Sequence, residues 1–301
     1  MAQDLLAVYR FTHHAMATLF EVMVGGCEEE YSGQVARAVF GEIDRIERLF
    51  NRFDPSSEIS RINRLEPGQK LAIGVETFEC LALAEEVRRA TGGAFDINAR
   101  ALVKHKGRET PPSFDLVRTS GGGFEAVLPA QEAGRLDLLN LDLGGIGKGY
   151  ALDRVLDVLA DWSVENALVH GGTSTAIAIG TAPGACDPKK GWPIGVGGGW
   201  PCPGVPESFR LLGRALSSSG TEVKGKHLFD PRTGLAAGGH LAAWASHPAA
   251  AAADALSTAF MVMTTEEVAA YCGRHPEVWA LVVKDYGDCR VFNAAVALEC
   301  E

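Results

Sequence analysis

The amino-acid sequence predicts an α+β fold, with mixed or antiparallel sheets flanked by helices in two closely packed lobes. Segments with helical spacing of apolar residues lie between short segments of strand pattern, and some neighbouring strands are close enough to pair as hairpins. A chain of 301 residues with 47% hydrophobic content can also bury a large core. We expect a single domain over residues 1–301, with a low-order loop or lid at about residues 181–207.

Helical spacing is clearest in residues 32–50, where apolar residues recur every three or four positions. Ser32 is placed to cap the N-terminus of this helix. A lone aromatic residue, Phe53, follows it and is interpreted as a core residue. The other predicted helices lie at residues 57–62, 75–91, 150–159 and 248–263.

Strand patterns are short and are bounded by glycine, proline and small polar residues. His13 and His14 are adjacent on an extended segment, so they point to opposite faces and are not expected to chelate a metal together. A further strand is predicted to begin at His227 and to enter a turn at residues 230–234. The other predicted strands or extended segments lie at residues 20–24, 94–98, 124–128, 141–143, 167–170, 176–179, 280–283 and 290–292.

The charge of the chain argues against two classes of partner. A formal net charge of -10 disfavours binding to nucleic acid or to anionic membranes, because both require clustered Lys and Arg. The longest apolar tracts near the C-terminus, such as residues 259–263, are too short to span a bilayer. We therefore expect a soluble protein with neither kind of partner.

The cysteines and the N-terminus bear on the compartment. The seven cysteines are scattered and include no Cys-x-x-Cys pair, which argues against a zinc site and a disulfide scaffold. The first ten residues lack the basic start and long apolar run of a signal peptide. A cytoplasmic location is the simplest prediction, with export as the alternative if a leader was removed.

A glycine-rich stretch at residues 141–150 predicts a strand, a glycine loop and the start of a helix. Glycines allow the backbone to approach a ligand closely, and the N–H groups at a helix N-terminus favour an anion such as phosphate. The stretch fits neither the Walker A pattern nor the dinucleotide-binding pattern. A turn that merely packs a helix closely remains the alternative.

The alanine-rich helix carries a candidate metal site. Asp254 and Thr258 are four residues apart and therefore share one helix face. Carboxylate and hydroxyl oxygens are ligands that Mg²⁺ prefers. The alternative is that Asp254 only compensates the helix dipole.

The order of these motifs resembles the ApbE family of flavin transferases, which move FMN from FAD onto a protein. The resemblance covers nearly the whole chain, and it implies the ApbE-like fold with the flavin site in a cleft between two lobes. The matching stretches are residues 16–18, 53–63, 93–96, 141–150, 219–220, 227–234 and 253–259.

The resemblance also implies roles for individual residues. His227 would be the catalytic base. Mg²⁺ would be held by the carbonyls of Gly145 and Ser257 together with the side chains of Asp254 and Thr258. The residues implied to contact FAD are Met16, Phe53, Ala94, Phe95, Asp96, Asp142, Lys148 and Phe229.

The implied reaction transfers FMN from FAD to a Ser or Thr hydroxyl of an acceptor protein and releases AMP. A metal, Lys148 and loop N–H groups would neutralise charge as the diphosphate bridge breaks. Two alternatives stay open, namely an FAD pyrophosphatase that gives FMN and AMP, and a non-catalytic FAD-binding protein. Ala17 stands where the family usually has glycine, and His170 and Thr173 flank Gly171 and Gly172 in place of the usual residues.

Overall fold

The computed structural model describes residues 7–104, 114–132, 139–184, 191–196, 202, 205, 208–220, 229–285 and 287–296. The α+β prediction is confirmed. The helices are α1 (Glu29–Phe50), α2 (Glu58–Ile62), α3 (Val75–Ala90), α4 (Ala99–Lys104), α5 (Gly147–Asp161), α6 (Ala250–Val262) and α7 (Thr265–Arg274). The strands are β1 (Val8–Ala15), β2 (Thr18–Gly25), β3 (Lys70–Ile73), β4 (Asp115–Arg118), β5 (Phe124–Val127), β6 (Asn166–Gly171), β7 (Thr175–Ile179), β8 (Trp192–Gly195), β9 (Ser208–Leu211), β10 (Arg214–Gly220), β11 (Ala242–His247), β12 (Trp279–Asp285) and β13 (Asp288–Phe292).

Eight strands form the main sheet in the order β1-β2-β6-β7-β10-β11-β12-β13, and all neighbours are antiparallel. A second sheet has the order β3-β5-β4, and β8 and β9 form a separate hairpin. Among the described residues, no helix is both long enough and apolar enough to cross a membrane. The arrangement in two lobes stays a prediction.

The main sheet is covered on both faces, because alternate residues of a strand point to opposite sides. On the inner face, Phe20, Val169 and Ile177 pack in one core with residues of α1 and α5. On the outer face, Leu168, Ala176, Leu216 and Trp244 pack with residues of the β8–β9 hairpin. A third core joins α3 and the small sheet to α6. The main sheet therefore separates the helices on its inner face from the hairpin on its outer face.

Helix α1 begins earlier than the sequence predicts. Its N-cap is Glu28, and the acidic Glu29 and Glu30 occupy the first turn, where they favour the helix dipole. Ser32 is buried inside the helix and its hydroxyl makes no hydrogen bond. The prediction of Ser32 as the cap is therefore wrong. The helix begins before Ser32, because the acidic residues of the first turn stabilise its N-terminus.

Three predicted extended segments differ in the structure. Residues 94–98 form turns that lead into α4, because the side chain of Asp96 accepts a hydrogen bond from the Asn98 amide. Residues 141–143 are not a strand. The strand predicted from His227 is reduced, in its described part, to one bridge between Phe229 and Ala236, and His227 lies outside the described residues.

Cys202 and Cys289 form a disulfide that joins the segment after β8 to β13, with a Cα–Cα distance of 5.7 Å. The sequence contains no local signal for this pair, because the two cysteines are 87 residues apart and only the tertiary fold brings them together. Cys27, Cys80 and Cys272 are free thiols.

The turn between β1 and β2 has an unusual backbone. Met16 and Ala17 both have positive φ, at 49° and 57°. A two-residue hairpin turn of this kind needs positive φ at both central positions, which residues with a Cβ adopt at a cost. The alanine found at position 17 is therefore less suited to the turn than glycine is.

Replacing Ala17 with glycine is expected to raise the free energy of unfolding by about 1 kcal/mol, because glycine adopts positive φ without the Cβ penalty. Urea unfolding of the parent and Ala17→Gly proteins measures the difference. A variant less stable than the parent would contradict this account of the turn.

Candidate functional site

Several of the turns that connect strands of the main sheet lie at the same end of those strands. The register places the β1–β2 turn beside the β6–β7 turn, since Phe20 pairs with Gly171 and Gly171 pairs with Thr175. Ser217 of β10 in turn pairs with Thr175. Small and hydroxyl-bearing residues therefore lie together where these strands begin and end.

Asp254 of α6 packs against this end of the strands and is the centre of the site. The residue is only 3% exposed, yet its carboxylate accepts hydrogen bonds from several directions. Its Oδ2 atom lies 3.1 Å from the Gly149 amide and 3.3 Å from Lys148 Nζ. Its Oδ1 atom lies 3.3 Å from the Thr175 hydroxyl and 3.4 Å from the Ser217 hydroxyl. The glycine-rich stretch and the alanine-rich helix thus converge on one buried carboxylate.

Two contacts join α5 to α6, the helix that carries Asp254. The carboxylate of Asp153 accepts hydrogen bonds from the amides of Ala250 and Ala251, at 2.6 and 2.9 Å, and so caps the N-terminus of α6. A Cβ atom on Gly149 would lie 2.3 Å from the carbonyl oxygen of Ala250. The close-packing interpretation of the glycine stretch is therefore confirmed at Gly149, where the two helices touch through their backbones.

The residues proposed as metal ligands also lie close together. Thr258 is one helical turn beyond Asp254, and a Cβ atom on Gly145 would lie 3.1 Å from its hydroxyl oxygen. The Ser257 hydroxyl lies 3.0 Å from the Ser219 hydroxyl. One carboxylate, several hydroxyls and the backbone of the glycine loop therefore share this position.

This set of donors suits a hard cation. Magnesium prefers carboxylate, hydroxyl and carbonyl oxygens, and it usually binds through one or two carboxylates together with phosphate and water. Within the described ranges, no three His, Cys, Asp or Glu residues are grouped so that they could hold a metal by themselves. The residues present thus fit Mg²⁺ shared with a phosphate better than a metal held by protein ligands alone.

Lys148 supplies the positive charge nearest to Asp254. Its ammonium group lies 3.1 Å from the Gly144 carbonyl oxygen as well as 3.3 Å from Asp254, and its side chain is only 13% exposed. Because Lys148 is in the first turn of α5, its charge adds to the positive end of that helix. The same place would attract a phosphate.

Asp142 lies between two arginines that were not predicted to belong to the site. Its Oδ2 atom is 2.9 Å from Arg52 and 3.2 Å from Arg100, and its Oδ1 atom accepts a hydrogen bond from the Gly144 amide. Arg52 directly precedes Phe53, which is implied to contact FAD, so its position in the sequence could have indicated a place in the site. Arg100 is 42 residues from Asp142, and no local pattern indicates the contact.

Phe53 is not a core residue. It is 83% exposed, and the guanidinium of Arg52 lies 5.2 Å from the centre of its ring. The turn holds the residue outward, because the side chain of Asn51 accepts a hydrogen bond from the Phe53 amide at 2.9 Å. An exposed aromatic ring backed by a cation is a suitable surface for stacking a planar ligand.

The remaining predicted contacts lie on loops around this centre. Ala94 and Phe95 are buried, and Phe95 is placed next to Gly145. Asp96 is half-buried, and desolvation raises the pKa of its carboxyl group above the ordinary value. Met16 is at the β1–β2 turn, and Phe229 is at the bridge before the turn at residues 230–234. The assigned roles of these residues stay predictions.

Comparisons with known proteins agree on one family. The ApbE family model matches residues 16–282. The curated protein "FAD:protein FMN transferase" of Chlamydia trachomatis is 28% identical over 78% of this chain and 78% of its own length. The protein of the same name from Chlamydia muridarum is 26% identical over 75% of each chain.

Solved structures share the fold. The flavinyl transferase ApbE of Pseudomonas stutzeri matches with a TM-score of 0.72 and 24% identity, over 95% of this chain and 94% of its own. The ApbE protein of Thermotoga maritima matches with a TM-score of 0.76 and 23% identity, over 98% and 100%. Since the family model spans most of the chain and the fold agrees with it, this protein belongs to the ApbE family.

Proposed function

We propose that this protein transfers FMN from FAD to a Ser or Thr hydroxyl of an acceptor protein, in a reaction that depends on Mg²⁺ and releases AMP. The observation that carries the proposal is the convergence of Lys148 and Gly149 on the carboxylate of the buried Asp254, with the Thr258 hydroxyl beside Gly145 of the glycine loop. The names of the curated relatives support the transfer of FMN from FAD to a protein.

Different residues are proposed to bind FAD and to neutralise the charge of its diphosphate. Phe53 offers its ring to the planar part of FAD, while the N-terminal turn of α5 and Lys148 attract the diphosphate. Gly145, Asp254, Ser257 and Thr258 would hold Mg²⁺, which when bound supplies positive charge where the diphosphate bridge breaks. Lys148 and the metal would together neutralise the negative charge that develops in phosphoryl transfer.

The proposed transfer exchanges one P–O bond for another. The acceptor hydroxyl oxygen bonds to the phosphorus that stays with FMN, and the bond from this phosphorus to the bridging oxygen breaks. AMP leaves with the bridging oxygen. The proton of the hydroxyl passes to a base, for which we propose His227 on the basis of the family resemblance.

The test uses the purified full chain with FAD, MgCl₂ and an acceptor protein that carries the family's threonine-containing target motif. Transfer should give an acceptor that stays fluorescent after denaturation, together with an equal amount of AMP. Free FMN and AMP formed without acceptor would favour the pyrophosphatase alternative. Unchanged FAD under all conditions would favour a non-catalytic flavin-binding protein.

Replacing Phe53 with alanine is expected to weaken FAD binding about tenfold, because stacking of a planar ring on an aromatic side chain contributes about 1–3 kcal/mol. Because the ring is 83% exposed, the free energy of unfolding should change by less than about 0.5 kcal/mol. Titration of flavin fluorescence measures the affinity. The control is Leu212→Ala, which also removes an exposed apolar side chain. Equal affinities in both variants would remove Phe53 from the site.

The compartment is a separate proposal. The cytoplasmic prediction depends on the N-terminal sequence and the cysteine spacing, whereas the bond between Cys202 and Cys289 favours the exported alternative, since disulfides persist in oxidising compartments. We propose that the protein works outside the reducing cytoplasm. Mass spectrometry of protein alkylated directly from its native host would decide, because cytoplasmic protein would carry both cysteines as free thiols.

A further inference from the structure

Two buried hydroxyl groups lie on the inner face of the main sheet, directly beside Asp254. Thr175 begins β7 and pairs with Ser217 of β10, and the two residues are 2% and 0% exposed. The next inward positions on these strands are Ile177 and Ala215, which belong to the apolar core formed with α1 and α5. Burying a hydroxyl in such a core is unfavourable unless the group forms hydrogen bonds. The position of the two hydroxyls therefore requires a polar partner.

That partner is the carboxylate of Asp254. Its Oδ1 atom lies 3.3 Å from the Thr175 hydroxyl and 3.4 Å from the Ser217 hydroxyl, and the two hydroxyls lie 2.9 Å from each other. An ionised carboxylate only accepts hydrogen bonds, and each hydroxyl has one hydrogen to donate. Because the bond between the hydroxyls uses one of the two hydrogens, the pair supplies one donor to Oδ1. The two distances to Oδ1 are nearly equal, so either residue can be that donor.

The other oxygen of the carboxylate faces α5. The Gly149 amide lies 3.1 Å from Oδ2 of Asp254, and the Lys148 ammonium group lies nearer to Oδ2 than to Oδ1, at 3.3 and 3.5 Å. The sheet thus holds one oxygen and α5 holds the other, which fixes the rotation of the carboxylate. A carboxylate has about four acceptor positions, so the amide, the ammonium group and one hydroxyl leave room for a cation.

The neighbouring hydroxyls of α6 have a different partner. Ser257 and Thr258 donate to the backbone carbonyl of Asp254, at 3.0 and 3.2 Å, as residues inside a helix commonly do. Thr175 and Ser217 differ from them, because their hydroxyls contact the carboxylate itself. The two strand residues are therefore placed to control how this carboxylate is oriented.

We propose that Thr175 and Ser217 are positioning residues for the metal site. They act through Asp254, because the hydrogen bond that they share holds Oδ1 toward the sheet and the carboxylate then meets the cation in one orientation. Removing partners of this kind commonly lowers metal affinity by about ten- to a hundredfold. The inference rests on the proposed role of Asp254 as a ligand of Mg²⁺, and it assigns control of the metal affinity to two residues that do not bind the metal.

The test measures binding of Mn²⁺, as a probe for Mg²⁺, to the full chain in the presence of FAD and without an acceptor. The electron paramagnetic resonance signal of free Mn²⁺ falls as the ion binds, so the readout does not depend on transfer of FMN. A titration of FAD alone corrects for Mn²⁺ bound to free FAD. The variants are Thr175→Val, which keeps the shape of the side chain, Ser217→Ala, the double variant and Thr175→Ser.

The double variant should bind Mn²⁺ at least about tenfold less tightly than the parent, because no hydroxyl remains to hold Oδ1. Each single variant that removes a hydroxyl should lose only about threefold, since the remaining hydroxyl donates its hydrogen to the carboxylate. Thr175→Ser keeps both hydroxyls and should match the parent within about twofold. The proposal would be overturned if the double variant bound Mn²⁺ as tightly as the parent, or if Thr175→Val bound it as weakly as the double variant.

Thr77→Val is the matched control for loss of a buried threonine hydroxyl. Thr77 is fully buried in α3, and its hydroxyl makes no hydrogen bond to the part of the chain that the structure describes. This variant should bind Mn²⁺ like the parent. Urea unfolding of every variant is measured as well, because a merely structural role of Thr175 and Ser217 would lower the free energy of unfolding without changing the affinity for Mn²⁺. If the double variant does not fold, Thr175→Val and Thr175→Ser decide, and equal Mn²⁺ affinities in these two would overturn the proposal.

The same titrations separate failure of this inference from failure of the proposed reaction. A parent protein that binds no Mn²⁺ would overturn the proposed metal site and this inference together. Mn²⁺ binding that is unaffected by loss of both hydroxyls would overturn this inference alone. Mn²⁺ binding that depends on the hydroxyls, in a protein that transfers no FMN, would support the inference and overturn the proposed reaction.

Discussion

Replacing Asp254 with asparagine should lower the rate of FMN transfer by about a thousandfold or more, because the change removes the negative charge that Lys148 and Mg²⁺ are proposed to share. The amide keeps the shape of the carboxylate but does not neutralise a cation. Some affinity for FAD should remain, since Phe53 and the N-terminal turn of α5 are unaltered. Steady-state transfer assays and flavin fluorescence titrations measure the two effects.

The matched control is Asp153→Asn on α5. Asp153 caps α6 through two amides and does not contact the proposed ligands, so its loss should lower the free energy of unfolding by about 1–2 kcal/mol and leave transfer per folded molecule within about twofold. A second readout is metal dependence. Mg²⁺ should tighten FAD binding by the parent and by Asp153→Asn but not by Asp254→Asn. Equal activity in Asp254→Asn and the parent would remove Asp254 from the mechanism.

Replacing Gly149 with alanine should lower the free energy of unfolding by about 3 kcal/mol or more. The added Cβ would lie 2.3 Å from the carbonyl oxygen of Ala250 and 2.7 Å from the Cα atom of Ala251, and neither is the end of a flexible side chain. Helices α5 and α6 would have to separate. Urea unfolding followed by circular dichroism measures the change.

Gly41 provides the opposite case for comparison. It lies inside α1, and a Cβ atom there would meet nothing within 4 Å. Gly41→Ala should therefore stabilise the protein by about 0.5–1 kcal/mol, because alanine has the higher helix propensity. If Gly149→Ala were as stable as the parent, the direct backbone contact between α5 and α6 would be refuted.

The elements that sequence predicts well are those with a local periodic signal. The apolar stripe of α1 includes Val35, Val39, Ile43 and Ile46, all buried, because a helix that packs on a sheet must repeat apolar residues every three or four positions. The pairing of Asp254 with Thr258 on one face of α6 follows from the same geometry. These predictions needed no information about distant parts of the chain.

Strands β10 and β11 were harder to predict, because their sequences lack a clear alternation of apolar and polar residues. Strand β11, from Ala242 to His247, is almost entirely buried, since it lies inside the sheet and is covered on both faces. Ser217 and Ser219 of β10 are polar, yet they point inward because they meet residues of α6. Here the tertiary environment overrides the local pattern.

The site residues that sequence reasoning missed depend on contacts between distant segments. Arg52 and Arg100 approach Asp142 only because the loops that carry them fold to one place. Phe53 was a different case: the family resemblance implied that it contacts FAD, whereas its residue type alone suggested the core, and its turn directs it outward. The tendency of aromatic residues to be buried does not by itself predict this exposed position.

The disulfide between Cys202 and Cys289 closes a covalent ring that contains β9, β10, β11, α6, α7 and β12, and with them Asp254 and Thr258. The disulfide still joins the two ends of this segment when the protein unfolds. The unfolded chain therefore has fewer accessible conformations. Reducing agents should therefore make residues 202–289 more susceptible to proteolysis. The part of the chain that begins with β1 and carries α1 has no such covalent link among the residues that the structure describes.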